Sequence, residues 1–107
     1  MNSFEDRQKG FEAEFQHKQD LSFRITARRN KLLGLWTAER LGIPAGEAAQ
    51  TYAMSVVAAD FEAPGDDDVI AKVRGDLAAK GIAVTEAEVR ADLTRAAAEA
   101  RKQIMEK

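Results

Sequence analysis

Val84-Thr85-Glu86-Ala87-Glu88-Val89 decides the fold. Thr85 and Glu88 are spaced as a capping box, in which the hydroxyl accepts from an orphan backbone N–H and the carboxylate reaches back, while Val84 can staple against Val89 across the cap. From that start Val89, Leu93, Ala97, Ala100 and Ile104 recur at the 3.6-residue period, so the segment reads as a helix with one apolar face. Working backwards, Gly81 closes an earlier helix that Asp66 caps, with Asp67 and Asp68 in its first turn and Val69, Ile70, Val73 and Leu77 as its stripe. A helix before that starts near Pro44, buries Ala49, Tyr52, Ala53, Val56, Val57 and Phe61, and ends at Pro64-Gly65. Leu21, Ile25, Leu32, Leu33 and Trp36 form one more, capped by Asp20 and stopped by Gly42 ahead of Pro44.

No strand-like alternation or tandem repeat competes with these signals. Four helices joined by short loops make an all-α, antiparallel four-helix bundle over residues 19–107. Its expected core is Ile25, Leu32, Leu33, Trp36, Tyr52, Val56, Phe61, Val73, Leu77, Val89 and Leu93, with inner alanines that permit close helix approach.

Residues 1–18 have a different character. They are charged, contain no Leu, Ile or Val, and carry Phe4, Phe11 and Phe15. Steps of seven and four residues return to nearly the same helical face, so the three phenylalanines form a narrow stripe on a polar helix. That stripe is thin for a core and shaped for a groove in another protein. Ser3 and the acidic residues after it start a helix over residues 4–17, which Gly10 weakens by about 1 kcal/mol relative to alanine. A marginally stable N-terminal helical segment, ordered on binding, is the expectation. The Phe stripe runs on in phase into Ile25, Leu33 and Trp36, so one long helix from Ser3 to Leu41 is the alternative to a break near Asp20.

At 107 residues and 45% hydrophobic, the chain has the composition of one globular domain. Zero cysteines exclude disulfides and thiolate metal sites and suit a reducing compartment. Neither a membrane-spanning apolar run nor the apolar region of a secretory signal is present, so a cytoplasmic protein without direct membrane insertion is expected. A net charge of −2 gives little reason to bind nucleic acid. The expected partner is protein.

Chemistry-bearing constellations are sparse. His17 is the only histidine, and with Glu14 it makes two ligands without a third, so no metal site is expected. Asp66-Asp67-Asp68 opens like a calcium loop, but Ala71 and Leu77 stand where the loop needs glycine and glutamate. Arg24, Arg28, Arg29, Lys31 and Arg40 outnumber Asp20 and Glu39 on one helix. That excess suits phosphates or an acidic protein surface, or is compensated within the molecule by Asp60, Glu62, Asp66, Asp67 and Asp68. Of these cations, Arg24, Arg28, Arg29 and Lys31 are the candidate nucleotide-binding residues. No cysteine nucleophile, serine triad, glycine-rich phosphate loop or clefted acid pair can be assembled, so a non-enzymatic protein without cofactor is expected.

The string Ala27-Arg28-Arg29-Asn30-Lys31-Leu32-Leu33-Gly34-Leu35-Trp36 resembles the zeta subunit of the F-type ATP synthase of alpha-proteobacteria. So do Ala59-Asp60-Phe61-Glu62-Ala63-Pro64-Gly65-Asp66 and Leu77-Ala78-Ala79-Lys80-Gly81, and the opening Phe4-Glu5-Asp6-Arg7 with Phe11-Glu12 and Phe15 is similar to that family's N-terminal part. The resemblance implies a small helical bundle that inhibits ATP hydrolysis. In it, an N-terminal segment enters an interface between the alpha and beta subunits of the soluble head, reaches toward gamma and blocks rotation. On these residues the expected partner-binding set is Phe4, Glu5, Asp6, Arg7, Phe11, Glu12, Glu14 and Phe15, and the free protein is expected to be a monomer. The competing readings are a nucleotide-responsive bundle, a membrane-surface helix, which lacks a cationic face, and a self-associating structural protein.

Overall fold

The computed structural model describes residues 3–60 and 65–106, with side chains from Lys18 onward. Four helices follow one another: α1 (Ser3–Arg40), α2 (Glu47–Ala59), α3 (Asp67–Ala79) and α4 (Glu86–Met105). Among the described residues there is no strand. The all-α bundle expected from the sequence is therefore the fold.

The break near Asp20 is absent. Asp20 lies inside α1, which runs unbroken for 38 residues, or about 57 Å at 1.5 Å per residue. The physical reason is continuity of phase: the same helical face carries apolar or small residues on both sides of Asp20, and neither proline nor a left-handed residue interrupts it. Gly10 is accommodated within the helix. At the other end Gly42 adopts φ 78°, and its N–H reaches the Glu39 carbonyl at 3.2 Å while Ile43 N–H reaches Ala38 at 2.9 Å. Gly81, at φ 75°, closes α3 in the same way through Ala78 and Leu77. Both are Schellman stops, which need a residue free to adopt positive φ.

α2 begins later than expected. Gly46, at φ 114°, is its cap residue, and Pro44 and Ala45 belong to the preceding loop. Asp66 does stand at the start of α3, but its side chain makes no capping bond; it accepts instead from Arg29 Nη2 at 2.8 Å. Thr85 caps α4 as expected, accepting from Glu88 N–H at 3.1 Å.

α1 packs most extensively on α2 and α4, and α3 closes the bundle against the other three. The fully buried centre is Leu33, Val56, Val69, Val73, Leu77 and Val89, with Ile70 and Leu93 beside it. Trp36 and Tyr52 are only half-buried at its edge, and Ile25 and Leu32 are half-buried too. Phe61, expected in the core, lies outside the described residues. Where α1 crosses α2, the helices approach so closely that a Cβ built on Gly34 would sit 2.6 Å from Ala53 Cα. Small residues hold that crossing: Ala38 and Ala53 are fully buried. Thr37 is buried as well, its hydroxyl donating to the Leu33 carbonyl at 2.9 Å.

Tyr52 Oη donates to Asp76 Oδ2 at 2.7 Å, and Lys72 Nζ donates to the same oxygen at 3.1 Å. Burial, then the bond to Asp76 and the repulsion from its charge, push the Tyr52 phenol well above the ordinary tyrosine range. The folded state thus holds the phenolic proton more tightly than the unfolded state does. Its contribution to stability is complete below the unfolded tyrosine pKa of about 10 and is lost as pH rises beyond it. Because Tyr52 is the single tyrosine, absorbance at the tyrosinate band should show no ionisation at the usual alkaline midpoint. Tyrosinate should appear together with unfolding.

Candidate functional site

The end of α4 fixes where the bundle stops along α1. Met105 and Arg101 of α4 share a groove with Lys18, Leu21, Ser22 and Ile25 of α1. The N-terminal part of α1 continues past that level by fifteen residues, from Ser3 to Lys18, or about 22 Å of helix. The molecule measures 65 Å along its longest axis against 26 and 21 Å across. Phe4, Glu5, Asp6, Arg7, Phe11, Glu12, Glu14 and Phe15 all belong to this extension, and their side chains lie outside the described residues.

Two grooves flank α1 at its root. One, of about 250 Å³, has Ala27, Met54, Val57 and Ile104 as its apolar floor, half-exposed Phe23 at its edge, and Arg24, Arg28 and Lys31 along its wall. The cations recur at steps of four and three residues and so form a row on one face. Arg28 Nη1 donates to the neutral amide oxygen of Gln103 at 2.6 Å. None of the ion pairs among the described residues involves Arg24, Arg28 or Lys31.

Arg29 does not join that row. Its guanidinium donates to Asn30 Oδ1 through Nε at 3.0 Å and Nη2 at 2.9 Å, and pairs with Asp66 across to the start of α3. Asn30 is fully buried, and its Nδ2 has no hydrogen-bond partner. Of the four candidate nucleotide-binding cations, three therefore share one groove and the fourth faces another way. Among the described residues, the internal compensation anticipated for this helix is seen at Arg29. Arg40 is also engaged, 3.8 Å above the Trp36 ring, a cation–π contact.

The second groove, of about 440 Å³, lies between α1 and the last turns of α4. Leu21, Ile25, Ala97 and Met105 give it an apolar floor, and Lys18, Arg29 and Arg101 surround it. Sequence reasoning placed Ala97 and Ile104 on the inner face of the last helix but missed Arg101 and Met105. The available signal was spacing: Ala97, Arg101 and Met105 follow one another at steps of four residues and so share one flank of α4, on which Met105 is 58% exposed.

Among the described residues no group of three or more His, Cys, Asp or Glu is placed to hold a metal ion. None of the described helices is long and apolar enough to cross a membrane. Buried Asp92 accepts from Arg95 Nε at 2.7 Å, an ion pair within α4.

A family model described as ATPase inhibitor subunit zeta matches residues 1–103. The chain belongs to the ATPase inhibitor subunit zeta family. The resemblance carried by Ala27–Trp36 is thereby borne out, and it extends from the N-terminal extension through nearly all of α4. No curated protein matches the chain. Zeta-family membership makes this an inhibitor subunit associated with ATP synthase, rather than a catalyst, and the bundle is the body from which its N-terminal extension projects.

Proposed function

We propose that the chain arrests ATP hydrolysis by the F-type ATP synthase as a wedge. Residues 1–18 enter an interface between the alpha and beta subunits of the soluble head and reach toward gamma, while the bundle of residues 19–107 stays outside as a stop. The observation that carries this reading is the length of α1 relative to its partners, which leaves about 22 Å of helix beyond the end of α4.

Phe4, Phe11 and Phe15 are the anchors. Burying three aromatic rings gives about 5–8 kcal/mol, offset by the entropy of ordering the segment. Continuity with the bundle reduces that offset, because an extension of an existing helix needs no new nucleus. Glu5, Asp6, Arg7, Glu12 and Glu14 pair with charged groups on the cleft walls. The action is steric, so no bond is made or broken by the inhibitor.

The test is ATP hydrolysis by the purified matching head with the protein added. Phe11→Ala and Phe15→Ala should each weaken inhibition by roughly tenfold to a hundredfold, the equivalent of about 1.5–3 kcal/mol per ring. Their thermal melting should match the parent's. A fall in melting temperature would assign the rings to the protein's own interior.

A second reading is favoured by the row of Arg24, Arg28 and Lys31 in a groove where no carboxylate stands among the described lining residues. It is a nucleotide-responsive bundle, the phosphates lying along that row. Titration with ATP or ADP should then move the amide resonances of Arg24, Arg28 and Lys31.

A further inference from the structure

We infer that the groove between α1 and the end of α4 is the second half of the partner interface and takes an acidic amphipathic helix of the same partner that grips the N-terminal extension. The inference rests on the wedge reading and adds to it a surface on the bundle.

Helical phase supplies the first argument. Counting along unbroken α1 from position 11, steps of seven, eleven and eighteen residues reach Lys18, Ser22 and Arg29. These are close to whole numbers of 3.6-residue turns. All three residues line this groove, with Leu21 and Ile25 between them. The face that carries positions 4, 11 and 15 therefore runs into the groove without a change of direction. A partner element lying along the phenylalanine stripe is delivered to Leu21, Ile25 and Met105. Arg24, Arg28 and Lys31 are thirteen, seventeen and twenty residues on from position 11 and occupy the opposite side, so the other groove is not on this path.

Charge supplies the second argument. Among the described residues no carboxylate lines the groove, and Lys18 and Arg101 take part in none of the ion pairs. The third cation, Arg29, is already paired with Asp66. An apolar floor beneath two exposed cations fits a helix that presents apolar anchors flanked by Asp or Glu. Both cations and Met105 are exposed in the protein as described, so replacing them does not disturb the core.

The test compares the parent with Lys18→Glu/Arg101→Glu and with Met105→Gln for binding to the purified soluble ATPase head at about 50 and 200 mM salt. The charge reversal should lower affinity at least tenfold, chiefly through slower association, and flatten the salt dependence. Met105→Gln should raise the dissociation rate severalfold, with melting curves unchanged. The neutral variant Lys18→Gln/Arg101→Gln should fall between parent and reversal. Unchanged association and salt dependence in every variant, with the parent binding and inhibiting, would overturn the groove and leave the wedge standing. A parent that does not bind the head would overturn both. Loss of a concentration-dependent sedimentation shift of the free chain, without effect on the head, would assign the groove to a second copy and also overturn the inference.

Discussion

Deletion of residues 1–18 is expected to abolish inhibition of ATP hydrolysis and to leave residues 19–107 folded, with a melting temperature within a few degrees of the parent. The two halves of that expectation come from different parts of α1. Every residue of the central core lies at or beyond Leu33, and the groove with the end of α4 begins at Lys18. The deletion removes a length of helix without exposing any of those core side chains. It also removes Phe4, Phe11 and Phe15 together, and with them the roughly 5–8 kcal/mol of gross apolar burial on which the proposed insertion rests. Net of the ordering cost that goes with it, that loss is large enough to remove measurable inhibition. Full inhibition by the truncated protein would shift the inhibitory surface to the bundle and end the wedge account. A truncated protein without cooperative melting would instead show that the extension belongs to the fold.

The second large effect is expected at Gly34. Here helix propensity and packing point in opposite directions: in an exposed helix interior, replacing glycine by alanine stabilises by about 1 kcal/mol. At Gly34, however, the added Cβ would meet Ala53 Cα at 2.6 Å and Ala53 O at 3.2 Å, and a backbone cannot swing aside as a flexible side chain does. Gly34→Leu must push α2 off α1. Overpacking of this kind typically costs 1–3 kcal/mol and occasionally more, and a change of about 3 kcal/mol lowers the melting temperature of a domain this size by roughly 15 °C. Gly34→Ala should fall between, destabilising despite its gain in propensity. Calorimetry or circular dichroism decides the sign, and a more stable Gly34→Ala would contradict the close crossing.

The elements of the bundle could be read from the sequence wherever local chemistry and periodicity agree. Thr85 caps α4, Gly42 and Gly81 stop α1 and α3, and Val73, Leu77, Val89 and Leu93 are buried because each lies on the single apolar face of its helix. Less legible were positions set by tertiary contact. Asp66 has the composition of a cap, yet the nearby guanidinium of Arg29 competes for its carboxylate, a choice invisible in either local segment. Asn30 and Thr37 are fully buried although polar residues are usually exposed, since α1 is enclosed on several sides near its crossing with α2. Asp20 looked like a start because its type is favoured at caps; within a longer in-phase helix it is simply an exposed polar residue. The candidate site divides similarly. The phenylalanine stripe is a one-dimensional pattern, whereas the separation of Arg29 from Arg24, Arg28 and Lys31, and the meeting of Lys18 with Arg101, depend on how α2, α3 and α4 dock.

An unbroken α1 also has a mechanical consequence. A tether joined through a flexible linker lets its tip and its body move separately, so a push on the tip is dissipated in the linker. Here no loop intervenes between Ser3 and Arg40. On the proposed wedge reading, thrust applied by a closing interface would travel down a single strut to the Gly34–Ala53 crossing, where backbone meets backbone. The bundle would then act as the footing of that strut, and softening the crossing should weaken the proposed stop even with every anchor ring in place.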